Sequence, residues 1–465
     1  MQQNLSFGWA STEFSVPIPR CRPQMNGTLA KAAMLLHDNP HTSFSMACGK
    51  SRRIVSRVLG DQRLSSETLL TGHRDATLGR IKGDPDTDFL IPTDTVFFTF
   101  PGHRKTEGLN PIQGKVPGIV QHNVMVLNAR TGVCHGVPVA HNWTRGGHQD
   151  TWEVESDKWF VGLDYANELA AEMPDKRFTV VNDRESDILG LFKAARLPNV
   201  HLINRVHQPR RYELISAEQQ ATGERVIGYL SEMARNLPII GIEEVSIYRE
   251  NRRVRITLEM SAAPIRIHPD KHRSERLHSA EGLNLVVARE IASITEGGED
   301  VFKPEGASEW LLVTSLPVSN LEEVRFVVRS YSLRWRIERL HYTMKSGALN
   351  SEWLQFDDVR TLCNGLILNT VVAWKILCLV YEARQEEVQA RHCLDDLELT
   401  ILSTAMGHPV ISLKEACLAI GSLVKFEPTK AQPYPGIKVI TKGMYKLKVM
   451  CETYEMFIKP QTVPR

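Results

Sequence analysis

The 465-residue sequence predicts a mixed α/β protein: a core sheet, enlarged by a β-rich insertion, with helical segments at both ends. Three observations predict it. Short β-branched apolar runs begin at residue 89 and recur to about residue 200 between helical stretches. The block from about 200 to 317 is strand-like almost throughout. Helical periodicity fills residues 1–82 and most of the chain after 317. A hydrophobic share of 42% and a charged share of 24% are ordinary for a globular chain, and the length suits about two to four domains.

Taken in order, "MNGTLAKAAMLLHD" predicts a helix, and "SRRIVSRVL" a second. In the second, Arg52, Arg53 and Arg57 fall on one side and Ile54, Val55, Val58 and Leu59 on the other. Residues 1–82 carry eleven Lys and Arg against five Asp and Glu. That excess fits a solvated helical face or a DNA-backbone surface. "FLIPTDTVFF" predicts a strand. "GIVQHNVMVLN" and "VCHGVPVAHNW" predict a hairpin with Thr131-Gly132 in the turn. "SDKWFVGLDYANELAAEM" predicts a helix capped by Ser156, and "RFTVVNDRES" a strand ending in a turn at Asn182-Asp183. Strand, hairpin, helix, strand is the opening order of a ribonuclease-H-like α/β fold. Six strand-like runs follow, from "HLINRV" to "EWLLVTS", around a polar loop, "IHPDKHRSERLHSAEG". "NLEEVRFVVRSYSLRWRIERLHYTMKSG" then predicts one continuous helix. The expected domains are 1–82, 83–380 with the insertion at about 200–317, and a helical 381–465.

A net charge of only +2 means that a nucleic acid would be met by local basic patches. None of the eight cysteines forms a CxxC or a zinc spacing, so free thiols in a reducing, cytoplasmic setting are expected. "MQQNLSFGWA" has no basic n-region and no apolar core, so no secretion signal is expected from it. The longest apolar run, "ILNTVVAWKILCLV", is broken by Lys375 and reads as a buried helix too short for a bilayer, so no membrane partner is expected.

The chemistry centres on "YSLRWRIERLHYTMK". At about 100° per residue, Tyr331, Arg334, Glu338 and Lys345 share an arc of roughly 60°, opposite Leu333, Ile337, Leu340 and Met344. A solvated face with an Arg334–Glu338 pair accounts for this stripe alone. Two strand-borne acids add to it: Asp94, inside an apolar strand where Asp is disfavoured, and Asp183, at a strand end. Three such acids could hold divalent cations with oxygen ligands and support two-metal phosphodiester chemistry.

"YSLRWRIERLHYTMK", "PTDTVFF" and "VNDRESDI" together resemble the signature of bacterial cut-and-paste DDE transposases of the insertion-sequence-four family. "EWLLVTSLPV" fits the same pattern, and "FGWASTEFS" resembles the family's end-binding segment. The resemblance implies that Asp94, Asp183 and Glu338 hold two Mg²⁺, with Mn²⁺ as a substitute. It implies that Tyr331, Arg334 and Lys345 contact phosphates, and that Trp335 and Trp310 accept a flipped base during hairpin formation. Core packing is the alternative for both tryptophans. Basic residues of the insertion, Arg205, Arg210, Arg211 and Lys271, would track DNA, and Arg52, Arg53 and Arg57 would help bind terminal repeats. His207 and His268 read as surface histidines. The partners implied are double-stranded DNA and a second copy of the chain. The C-terminal "GMYKLKVMCETYEMF" would supply the dimer contact through Met444, Leu447, Met450, Cys451 and Tyr454. Downstream of Lys345, "ALNSEWLQFDDVR" lacks the positive charge expected of DNA contacts, so no role is carried beyond that lysine. The alternatives are a nuclease or resolvase of the same fold without strand transfer, and a non-catalytic DNA-binding inhibitor.

Overall fold

The computed structural model describes residues 8–19, 21–102, 105–145, 154–215, 226–249, 252–269, 278–295, 297–382, 388–430 and 432–458. Lys271 and residues 270–277 of the loop around it lie outside these residues, as does Phe7 of the N-terminal motif.

A twelve-stranded sheet runs through the molecule. Its first half is built from β1 (Asp88–Thr99), β2 (Pro111–Gln113), β3 (Val116–Asn128), β4 (Cys134–Trp143), β5 (Arg177–Asn182) and β6 (Val200–Arg205). β1 pairs antiparallel with β3, and β3 with β4; β5 lies parallel to β1, and β6 parallel to β5. The hairpin turn falls where expected, with Gly132 at φ 69°, a conformation glycine adopts without strain. Ser156 does not cap the next helix. It sits inside a 3₁₀ turn, Glu155–Trp159, which leads into the helix Phe160–Glu172.

The second half comprises β7 (Arg211–Leu214), β8 (Val226–Tyr229), β9 (Gly241–Arg249), β10 (Arg252–Ile267), β11 (Ala280–Thr295) and β12 (Glu309–Thr314). β12 pairs antiparallel with β6, so the inserted strands extend the central sheet. β6, read from the sequence as part of the insertion, instead completes the parallel set beside β5. Periodicity could not assign it, because a short apolar run has the same pattern at either location.

Apolar cores cover the two faces of the first half. Phe89, Ile91, Phe178 and Val180 pack with Leu163 and Leu169 of the 160–172 helix. There Gly162 allows close approach: a Cβ on it would stand 2.3 Å from Thr93 Cγ2. The other core is continuous from Leu29 and Leu69 near the N-terminus, through Phe98 and Met125 of the sheet, to Leu402, Ile420 and Leu447 near the C-terminus. At its centre lies the helix Val359–Glu382. This helix is longer than its sequence suggested, and by length and composition it could cross a membrane. However, 94% of its most apolar window is buried inside the protein.

The helices Gln24–Asp38, Arg52–Leu59 and Ser66–Gly83 pack into that shared core. The buried Glu13 carboxylate ties the first turn down, accepting from His73 Nδ1 at 2.5 Å and Arg80 Nη1 at 2.8 Å. Arg52, Arg53 and Arg57 are exposed, as expected, while Val55, Val58 and Leu59 are buried. Ile54 departs from the expectation and is exposed. All eight cysteines are free thiols.

Candidate active site

Asp94 and Asp183 occupy equivalent places on neighbouring parallel strands. Pro92 is in register with Val181 across β1 and β5, and each acid follows two residues later. Strands so paired lie about 4.8 Å apart, so the register brings the two acids to the same end of the sheet. Thr93 Oγ1 donates to Asn182 Oδ1 at 2.6 Å and locks this level. Asp183 caps the 3₁₀ turn Arg184–Ser186, its Oδ1 accepting from Glu185 N at 2.9 Å. Asp94 Oδ1 accepts from Thr95 N at 2.8 Å.

Glu338 reaches this point from the signature segment, which is not one continuous helix. A helix Leu321–Leu333 ends at Arg334, a second runs Trp335–Tyr342, and a π-turn spans Thr343–Gly347. At the joint the backbone tightens: Arg334 N donates to Tyr331 O, and Ile337 N to Arg334 O, both at 3.1 Å. These are i→i+3 bonds of the 3₁₀ kind, and π-turns recur at functional sites. Side-chain periodicity carries no signal for such a break.

Arg334 stands between the acids. Its side chain is only 8% exposed; Nη1 lies 3.6 Å from Asp94 Oδ2, and Nη2 donates to Glu338 Oε1. Nε and Nη1 are buried without a hydrogen-bond partner. Burial disfavours its charge, but Tyr331, Asp94, Glu338 and Asp183 outweigh burial and hold the guanidinium ionised. The acids are held above their ordinary values. Burial does this first for all three. Asp94 also raises Asp183, and Asp94 and Asp183 raise Glu338, while Arg334 pulls each back. The carboxylates therefore feel one another, and Arg334 is the countercharge common to all three. An all-oxygen set of this kind suits Mg²⁺ or Mn²⁺ chemistry. Among the described residues, no three His, Cys, Asp or Glu side chains stand as a ready-made metal cage; the guanidinium separates Asp94 from Glu338.

The remaining sequence-predicted residues divide. Lys345 is tied to the end of β1, donating to Phe97 O at 2.9 Å and pairing with Glu352 at 3.3 Å. Trp335 is half-buried, 6.0 Å from the Arg334 guanidinium carbon. Tyr331 is 3% exposed and packs edge-on against Trp310, itself 4% exposed. This is the core-packing alternative for Trp310; with Arg334 buried as well, the expected open stripe narrows to Glu338 and Lys345. Arg205 closes β6, donates to Glu309 O at 2.8 Å and reaches Tyr331. It lines an open cleft with Arg184, His207 and the 306–309 segment. Arg210 is held by buried Asp187, Nε to Oδ1 at 2.9 Å. His207 is exposed, while His268 is half-buried against Glu213.

Sequence reasoning missed two residues. Lys158 is buried, 3.6 Å from Glu185, and its charge lowers both Asp94 and Asp183. His341 is buried 3.8 Å from Asp94 Oδ2. One signal was present for His341: it follows Glu338 by three residues, on the same helix face. Nothing in "SDKW" marked Lys158.

No family model matches the chain. The cryo-EM structure of a piggyBac transposase synaptic complex with hairpin DNA is similar over 98% of this chain and 82% of that one. The identity is 13% and the TM-score 0.37, a likeness too loose to bear on function.

Proposed function

We propose that the chain is a DNA transposase of the DDE class, with Asp94, Asp183 and Glu338 as its catalytic acids. One observation carries the reading: three acids, from two parallel strands and a broken helix, converge on a buried arginine with unmet N–H groups. Here two donor positions remain for a ligand oxygen, and guanidinium suits phosphate. The sheet order β4-β3-β1-β5-β6, with β1, β5 and β6 parallel, supports a ribonuclease-H-like core.

The three acids would hold two Mg²⁺ or Mn²⁺, which when bound supply Lewis-acid activation of a water or 3′-hydroxyl. Arg334 would receive a phosphate beside Asp94, and Lys345, anchored on β1, a neighbouring one. Trp335 is the better-placed tryptophan for stacking a displaced base in a hairpin step, since stacking needs an accessible ring. The Arg205 cleft would track the strand, and Arg52, Arg53 and Arg57 would add backbone contacts at the inverted repeats. A homodimer would pair two ends in the cytoplasm of a bacterium, as the insertion-sequence-four resemblance implies.

Purified protein with DNA bearing the element's own ends and Mg²⁺ tests this. Cleavage followed by joining to a second DNA is expected. Cleavage without joining would favour a nuclease or resolvase. Binding without cleavage would favour the inhibitor.

A further inference from the structure

We propose that His341 is a positioning residue for Asp94, held in its Nδ1-protonated tautomer by a directional chain of buried amides. The inference rests on the reading of Asp94 as a metal-binding carboxylate. The chain begins at a group with one possible role. The Cys363 carbonyl can only accept, and Asn142 Nδ2 donates to it at 3.4 Å. Asn142 Oδ1 thereby faces Gln121, whose Nε2 donates to it at 2.9 Å. Gln121 Oε1 then accepts from Asn123 Nδ2 at 3.2 Å, and from the Thr370 hydroxyl at 3.4 Å. The same Asn123 Nδ2 lies 3.1 Å from His341 Nε2. An amide nitrogen offers only protons, so Nε2 must accept, and the ring proton sits on Nδ1.

Asn142, Gln121, Asn123 and His341 are all buried, so water cannot reverse the chain cheaply. Because Nε2 accepts from the amide, it carries no proton, which leaves the ring neutral with its single proton on Nδ1 and makes its tautomer matter. Asn123 also sits directly opposite Asp94 in the β1–β3 register. One ladder position therefore carries both the acid and the group that orders its neighbour.

The consequence lies at Asp94 Oδ2. Oδ1 is engaged by Thr95 N, whereas Oδ2 faces Arg334 Nη1 at 3.6 Å and His341 Nδ1 at 3.8 Å. Both distances exceed a hydrogen bond, so the Oδ2 lone pairs stay free for a ligand. With the proton on Nδ1, the positive end of the ring dipole faces the carboxylate. With the other tautomer a lone pair would face it and repel. Groups behind a metal ligand that fix its orientation commonly change metal affinity by about 10–100-fold when lost.

The experiment uses full-length protein and two readouts. Histidine-selective ¹⁵N spectra should show His341 protonated on Nδ1; Mn²⁺ titration, followed by electron paramagnetic resonance, reports affinity without any DNA. His341→Asn keeps a donor at the Nδ1 position and should bind Mn²⁺ within about threefold of wild type. His341→Ala and His341→Gln, which lose that donor, should bind about 10-fold more weakly. Asn123→Asp replaces the donor with an acceptor and should move the proton to Nε2, weakening Mn²⁺ as His341→Ala does. An Nε2-protonated wild type, or unchanged Mn²⁺ affinity in His341→Ala, overturns the proposal while leaving the triad intact. A wild type that binds no Mn²⁺, with His341 still protonated on Nδ1, defeats the metal reading itself, and the role of His341 with it.

Discussion

Arg334→Ala separates a buried electrostatic hub from a solvated surface pair. The sequence alone suggests a surface arginine, whose removal would cost under about 0.5 kcal/mol. The structure gives a different magnitude. Arg334 is 8% exposed and Asp94 16%, and Arg334 is the cation that offsets Asp94 and Glu338. Removing one partner of a buried pair costs about 3–5 kcal/mol, because the other charge is left behind. Glu338 is 30% exposed and can reach water, which discounts this to about 2–4 kcal/mol at neutral pH without divalent cation. Acid should restore much of the loss, since protonating the stranded carboxylates removes the uncompensated charge. Urea unfolding followed by tryptophan fluorescence, in chelator at neutral and at mildly acidic pH, measures both effects. A change below about 0.5 kcal/mol at neutral pH would refute the buried-hub reasoning.

The other expectations are independent of that one. Asp183→Asn should abolish cleavage yet raise cation-free stability by about 1 kcal/mol, read as a higher unfolding midpoint, because the site spends stability on like-charge proximity. Burial first, then repulsion from nearby acids (Glu185 on Asp94, Asp94 on Asp183, and both aspartates on Glu338), holds Asp94, Asp183 and Glu338 above their ordinary values of 3.8 and 4.5. Their contribution to stability is therefore fully present below that range and lost as pH rises through the raised values; cation-free melting curves across the acid range should show it, and Mg²⁺ should offset it. Gly162→Val should destabilise by about 2 kcal/mol or more in urea unfolding, since its Cβ would meet Thr93. Replacing Arg52, Arg53 and Arg57 by Ala should flatten the log K against log [salt] slope for DNA by up to about 0.9 per lost contact. Val449→Asp should leave single-end binding intact but abolish paired-end complexes on native gels, because Tyr445, Val449, Tyr454, Met456 and Phe457 form the exposed apolar set of the last helix.

Much of the first half of the fold was legible because its strands are apolar, β-branched runs buried along most of their length, and its turns carry their own chemistry. Asp94 stood out as an acid inside an apolar strand, and Asp183 as one at a strand end. The placement of β6 was not legible, since its short apolar run reads the same in the parallel set, where Phe178 meets Val200, as in the inserted strands, where Val313 meets Asn204. The break at Arg334 was hidden for another reason. At the joint the backbone tightens into i→i+3 bonds, and side-chain periodicity does not record that. The C-terminal helix shows a third limit. Leu447 is buried, and Met444, Met450 and Cys451 pack on the chain itself, so of the face expected to meet a second copy only Tyr454 is exposed. A helical stripe states that something covers it, not whether the cover is the same chain.

The central claim is that Asp94, Asp183 and Glu338 act as one phosphoryl-transfer site on DNA. Its most direct measurement is a denaturing gel of end-labelled DNA spanning the flanks of the coding sequence, incubated with protein and Mg²⁺. The account expects a nick leaving a 3′-hydroxyl at a discrete boundary on each side, absent with Asp94→Ala, Asp183→Ala or Glu338→Ala although each still binds the fragment. Cleavage that persists in any of the three variants, or wild-type protein that binds the ends and never cuts them, would contradict it.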